Sequence, residues 1–238
     1  MKSKASLVGL AMYQTIVTWM LWYLGVAVAI MIIAAIVAAL GGDVQINLPV
    51  FEKHNTDWSI AYAIADTSRI FFLICGLLSM GGFIKYFVGN GVTRLAYFNG
   101  VIQSMVALAF TFSVIIIILS GVEYGIAAMT GYKEPVIMPV SFYLKLLADI
   151  LLYYIVGWFI SAGFYQEKWM IGFGCIVLAH PIVMVQSSVW GEKIKLPFYE
   201  LLHLSDASAW LSLLISVIMI AVITGIIHTM TTNVRIKV

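Results

Sequence analysis

From residue 5 to residue 40 the chain carries no charged side chain. A surface helix of a water-soluble domain sets an apolar stripe against a charged and polar face, so a stretch like this cannot be one. It also far exceeds the about 7–15 apolar residues of a secretory leader. The segment after Met1-Lys2-Ser3-Lys4 is therefore read as retained. Similar runs recur along the chain. Of the 238 residues 63% are hydrophobic and 10% are charged, against roughly 25% charged in soluble domains. The runs are too long for strands and lack a period of two. The expected fold is all-α: a polytopic membrane protein in one transmembrane domain, residues 1–238.

A crossing needs about 20 apolar residues. Six transmembrane helices are predicted, at 19–40, 58–81, 100–120, 139–165, 169–190 and 207–229. Residues 1–18 are expected to form an N-terminal interfacial helix. Trp19, Trp22 and Tyr23 would mark the membrane boundary, and Gly41-Gly42 would end the first span.

Orientation follows from the Lys and Arg residues between spans. With the N-terminus inside, the inner segments hold Lys2, Lys4, Lys85, Arg94, Lys168, Arg235 and Lys237. The outer ones hold Lys53, Lys133, Lys193 and Lys195, with Glu123, Glu192 and six further carboxylates. Both termini are predicted to face the cytoplasm, with the protein in the cell membrane. The outer segments are 41–57, 121–138 and 191–206, the last an amphipathic stretch expected at the outer leaflet. The second inner loop is only Gln166-Glu167-Lys168. Residues 84–99, IKYFVGNGVTRLAYFN, are then the internal cytoplasmic segment long enough to dock a partner.

Within it, Ile84, Phe87 and Val88 fall near helical spacing, and Gly89-Asn90-Gly91 reads as a helix stop and turn. Thr93 is placed to cap a new helix beginning at Arg94. The expectation is helix, turn and helix start, with Arg94 exposed toward an acidic partner surface.

Ionisable residues inside spans are functional candidates. Asp66 and Arg69 are three apart in the second span, and Lys145 and Asp149 four apart in the fourth, so each pair shares a helix face. Each charge costs about 2.5–3.5 kcal/mol at mid-membrane, which pairing reduces. Both pairs fall at similar depth in the outer half of the bilayer. One intramembrane charge cluster facing the bundle interior is predicted, either a clamp between helices or a polar gate. In the fifth span Pro181 should kink the helix, and His180 beside it is either a satisfied histidine or a proton site. Ala34/Ala38 and Ala35/Ala39 are small-residue pairs suited to helix packing.

The chain has no GxxxxGK[ST] phosphate loop and no HExxH motif. Its four histidines are scattered, so no metal-ligand spacing exists. Cys75 and Cys175 read as buried free thiols. ATP hydrolysis or intramembrane proteolysis by the chain itself is not expected.

The phrase GVTRLAYF, following the glycine-rich span end at Gly76, Gly81 and Gly82, resembles the corresponding segment of small ABC-2-type exporter permeases of Gram-positive bacteria. The chain looks most like those of the phenol-soluble modulin exporter and of lantibiotic immunity. The layout of six spans, interfacial helix and inner termini is similar throughout. The resemblance implies a cytoplasmic coupling helix between spans two and three, with Lys85, Asn90, Gly91, Val92, Thr93 and Arg94 meeting the ATPase. It implies separate ABC ATPase subunits carrying ATP and Mg, with no cofactor or metal bound directly. It also implies a second permease copy or paralogue, surrounding membrane lipid and an amphipathic peptide or lipophilic substrate moved outward; nucleic acid has no place in it. Two other readings stay open: a secondary transporter or channel using the intramembrane charges, and a non-transporting sensor subunit.

Overall fold

A computed structural model describes residues 3–39, 59–130, 137–166, 169–192 and 208–232. The elements are α1 (Lys4–Ala39), α2 (Ile60–Leu78), a π-helical turn (Ser79–Phe83), α3 (Ile84–Gly89), α4 (Arg94–Thr130), α5 (Val140–Phe164), α6 (Trp169–Val189) and α7 (Ala209–Thr232). Among the described residues six helices are long and apolar enough to cross a membrane. This is the architecture of a multi-pass membrane protein.

The bundle is built around α5. Of its most apolar 18-residue stretch 72% is buried, against at most 33% in the other five. It packs against α2, α6, α7 and α4. Tyr154 and Trp158 fill its centre and are fully buried. The closest approach is between α2 and α5. An added Cβ at Gly76 would stand 2.0 Å from the Tyr154 carbonyl oxygen, and one at Gly157 would stand 2.1 Å from that of Leu73. Glycines at this crossing bring the two backbones together, as small residues do where lipid offers no competing hydrophobic drive.

Several helices extend beyond their predicted spans. Helix α1 runs unbroken from Lys4 to Ala39, so residues 1–18 do not supply a separate interfacial helix. No Gly or Pro stands between Thr15 and Leu24 to break it. Val8, Met12, Ile16 and Met20, four apart, are buried in the core, and α1 packs mainly on α4. The Lys4 ammonium donates to the Gly91 carbonyl (3.4 Å), and Tyr13 and Thr111 hydroxyls are 2.9 Å apart. The two helices therefore run parallel, and residues 4–18 lie beside the start of α4. Helix α4 continues to Thr130, so residues 121–130 of the predicted outer loop are helical.

The second span also continues. Gly81-Gly82 does not end it: α2, the π turn and α3 form one helical run, Ile60–Gly89. The π turn breaks the regular ladder, as such insertions do, and the buried Tyr97 hydroxyl donates to the Ser79 carbonyl there.

Of the predicted outer segments, residues 41–57, 131–136 and 193–206 lie outside the described residues, as do Glu167 and Lys168 and the side chains of Ala34, Ala35, Ala38 and Ala39.

Candidate functional site

All four intramembrane charges meet at the end of the bundle where α2 and α5 begin. The Arg69 guanidinium stands 3.3 Å from Asp66 and 2.8 Å from Asp149. Lys145 lies 3.9 Å from Asp149. The spacing argument placed each pair on one face; tertiary packing joins the pairs through the Arg69–Asp149 contact between α2 and α5.

The cluster has a fifth member that the sequence reading left in an outer loop. Arg69 donates from Nη1 to Glu192 Oε2 (3.1 Å) and from Nη2 to Oε1 (2.6 Å). Lys145 also donates to Glu192 Oε1. The turn that delivers Glu192 is built locally. Gly191 has φ +71°, the Gly191 N–H donates to the Ser188 carbonyl and the Glu192 N–H to that of Ser187. These are the two bonds of a Schellman stop, which folds the residue after the glycine back onto the helix end. The glycine after an apolar run was the legible signal. Which side chains it would bring Glu192 against was not.

Glu192 lies outside the span. Burial alone would raise its carboxyl pKa, but the Arg69 and Lys145 cations outweigh burial and hold it down at about 2. Arg69 and Asp149 are almost fully buried, at 6% and 5% side-chain exposure, whereas Lys145 and Glu192 retain 18% and 24%. The inner pair is thus a seat and the outer pair a cover. Gln186 on α6 donates to Asp149 (2.9 Å), and Ser216 on α7 donates to Gln186 (2.8 Å). Polar bonding therefore links α2, α5, α6 and α7 at one depth. Beside the charges is a cavity of about 20 Å³ lined by Tyr62, Phe142 and Leu146 as well, room for about one water. Among the described residues this cavity is far too small to hold a peptide.

Glu123 of α4 makes a separate tie at this end. It accepts from the Ser59 hydroxyl (2.9 Å) and from the N–H groups of Ile60 and Ala61 (3.2 and 3.3 Å). A carboxylate there satisfies first-turn donors that have no partner within α2 and complements the helix dipole.

At the opposite end the segment 84–94 forms a second Schellman stop. Gly91 has φ +77°, with Gly91 N–H donating to Val88 and Val92 N–H to Phe87. The Thr93 hydroxyl accepts from the Ala96 N–H (3.2 Å) and so caps α4. Lys85, Asn90, Gly91 and Thr93 are exposed, and Val92 is half-buried. Arg94 departs from its expected exposure: it is half-buried. Its cation acts on Tyr165 at the end of α5, where burial pushes the phenol pKa up and Arg94 opposes it.

Pro181 lies inside α6, which remains helical on both sides. His180 is exposed on the outside of the bundle, away from the charge cluster. Cys75 and Cys175 are buried free thiols. Among the described residues no group of three or more His, Cys, Asp or Glu is arranged to hold a metal.

Comparison of the chain with protein-family models, with curated proteins and with solved structures finds no match.

Proposed function

We propose that this chain is the permease subunit of an ATP-driven ABC exporter, moving amphipathic peptides or lipophilic compounds outward with separate ATPase subunits. The observation that carries the reading is the continuous helical run Ile60–Gly89. At one end it presents the exposed turn with Lys85, Asn90 and Gly91; near the other it holds Arg69 in the charge cluster. At about 1.5 Å per residue, these 30 residues form a lever about 45 Å long. A partner pressing on the turn would move the residue that binds three carboxylates. The π turn at Ser79–Phe83 is the point where this lever can yield, since π insertions weaken the ladder. Alternating access would then open the outer cluster when the ATPase pair closes. The side chains offered to that partner are Lys85, Asn90 and Thr93 with the Gly91 backbone, and the half-buried Arg94 follows them in the chain.

The test is transport in membrane vesicles carrying the chain with a candidate ABC ATPase subunit. Export should require ATP and stop with a catalytically dead ATPase. Lys85→Glu and Gly91→Pro should each reduce ATPase co-purification. Unchanged capture by both variants, with ATP-independent export, would overturn the reading.

A proton- or ion-driven transporter is the second reading, favoured by the excess of carboxylates in the cluster: Asp66, Asp149 and Glu192 against Arg69 and Lys145. Collapse of the proton gradient with ATP maintained would abolish export on that reading and spare it on the first.

A further inference from the structure

We infer that two copies of this chain pair through the outward face of α6, with His180 of each copy donating to the Val177 carbonyl of the other. A second copy also belongs to the transport reading, but pairing is measured without ATPase or transport, so the two can fail separately.

Helix α6 is seated on the bundle through one side. Gly172, Cys175 and Ala179 are buried there, whereas Met170, Gly174, Val177 and Pro181 are exposed. The exposed set steps by four, three and four residues, the spacing of the seam along which parallel helices pack. Gly174 keeps that seam shallow. A Cβ added to it meets nothing within 4 Å, so a second backbone can approach closely, as glycine permits between membrane helices.

Two polar groups on this face are out of place against lipid. The first is His180, near the middle of Trp169–Val189. It is exposed and makes no hydrogen bond or ion pair to a described residue. Ionisable side chains inside a membrane almost always face a protein interior or a water-filled cavity, and within one copy His180 faces outward. The second is the Val177 carbonyl. In a regular helix it would accept from the N–H of residue 181, but Pro181 has none to give. Val177 is 69% exposed, in a zone where no water can serve a backbone group.

These two groups have complementary partial charges, and a second copy brings both. Copies inserted the same way are related by a two-fold axis along the membrane normal, so their α6 helices run parallel and matching positions meet. A helical side chain leans toward the N-terminus, and a helical carbonyl points toward the C-terminus. His180 and Val177, three apart in the chain, therefore come to the same level. The imidazole carries an N–H donor in either protonation state, and it meets the carbonyl oxygen of the other copy. One symmetry operation satisfies both donors and both acceptors. Lipid chains supply neither.

The experiment is Förster transfer between donor- and acceptor-labelled full chains in phosphatidylcholine vesicles over a series of protein-to-lipid ratios. Wild type should dimerise. His180→Leu should weaken the dimer about tenfold, as loss of two interhelical hydrogen bonds would. Pro181→Ala, which returns an N–H to the Val177 carbonyl, should weaken it similarly, and the double variant no further. Gly174→Leu should block pairing. Gly174→Leu and His180→Leu should keep the wild-type melting temperature, since neither position packs within the copy. With Cys75 and Cys175 replaced by alanine, Val177→Cys should form an intermolecular disulfide, and Val217→Cys, at a site 52% exposed on α7, should not. Four results would overturn the inference: a wild type that stays monomeric, a dimer untouched by both His180→Leu and Gly174→Leu, crosslinking at position 217 instead of 177, which would mean another face, or labelling of His180→Cys by a membrane-impermeant maleimide, which would mean a water-filled path.

Discussion

Glu192 receives both terminal nitrogens of Arg69, at 3.1 and 2.6 Å, although 123 residues separate the two in the chain. The contact joins the run that leads to the exposed turn at Gly91 with the stop that ends α6. Bidentate guanidinium–carboxylate pairs add geometric specificity to charge, and here that geometry fixes how the end of α6 sits on α2 and α5.

Removing the Glu192 charge should therefore destabilise the bundle. Breaking a fully buried pair costs about 3–5 kcal/mol. Because Glu192 is 24% exposed, Glu192→Gln is expected to cost less, about 2–3 kcal/mol. Thermal unfolding in detergent should show a clear drop. No change would mean that the Arg69–Asp149 contact alone holds this end together.

The same pair predicts a pH dependence. The Glu192 carboxyl, ordinarily near 4.5, is held at about 2 in the folded chain. A depressed folded-state value contributes stability that is fully present above the unfolded value and lost as pH falls through the folded one. Stability should thus decline between pH 4.5 and about 2. A Glu192→Gln variant should lack this part of the decline when unfolding is followed across that range.

An exchange of charges within α2, Asp66→Arg with Arg69→Asp, should fail to restore the wild type. Arg69 contacts Asp66 in its own helix, Asp149 in α5 and Glu192 beyond α6. The swapped chain would set a new carboxylate at position 69 toward two existing ones, which raises like-charge repulsion. Loss of monodispersity in size-exclusion chromatography is the expected outcome. A fully folded, active swap would show that only the local pair matters.

The glycine crossing should be intolerant of one methyl group. Gly76→Ala would place its Cβ 2.0 Å from the Tyr154 carbonyl oxygen and 2.8 Å from the Trp158 nitrogen. Backbone atoms cannot retreat as side-chain tips do, so a loss of about 1–3 kcal/mol or more is expected. Gly174→Ala in α6 meets nothing within 4 Å and should be neutral or slightly stabilising. Paired melting curves give the comparison.

At the turn between α3 and α4, Gly91→Ala forces a side chain into φ +77°, and Thr93→Ala removes the cap of α4. Each should cost about 1 kcal/mol. Hydrogen exchange should accelerate over residues 89–97 while the amides of α5 stay protected. Acceleration throughout α5 would show that the turn is a global folding element.

Much of this protein was determined by local sequence alone. Runs of apolar residues dictate helices and their approximate places, because in lipid a backbone must satisfy its own hydrogen bonds. The Asn90-Gly91 stop and the Thr93 cap were equally legible, since they rest on φ at one glycine and one hydroxyl. The pairs Asp66/Arg69 and Lys145/Asp149 followed from helical spacing. Only the tertiary structure decided how the pairs combine. The α2–α5 crossing at Gly76 and Gly157 sets Arg69 against Asp149, and the Gly191 turn brings Glu192 over both. It also decided that residues 4–18 stand beside α4, because a stripe buried on a neighbouring helix cannot be distinguished in sequence from one laid on a membrane surface. Both are apolar residues four apart, and only the packing partner tells them apart.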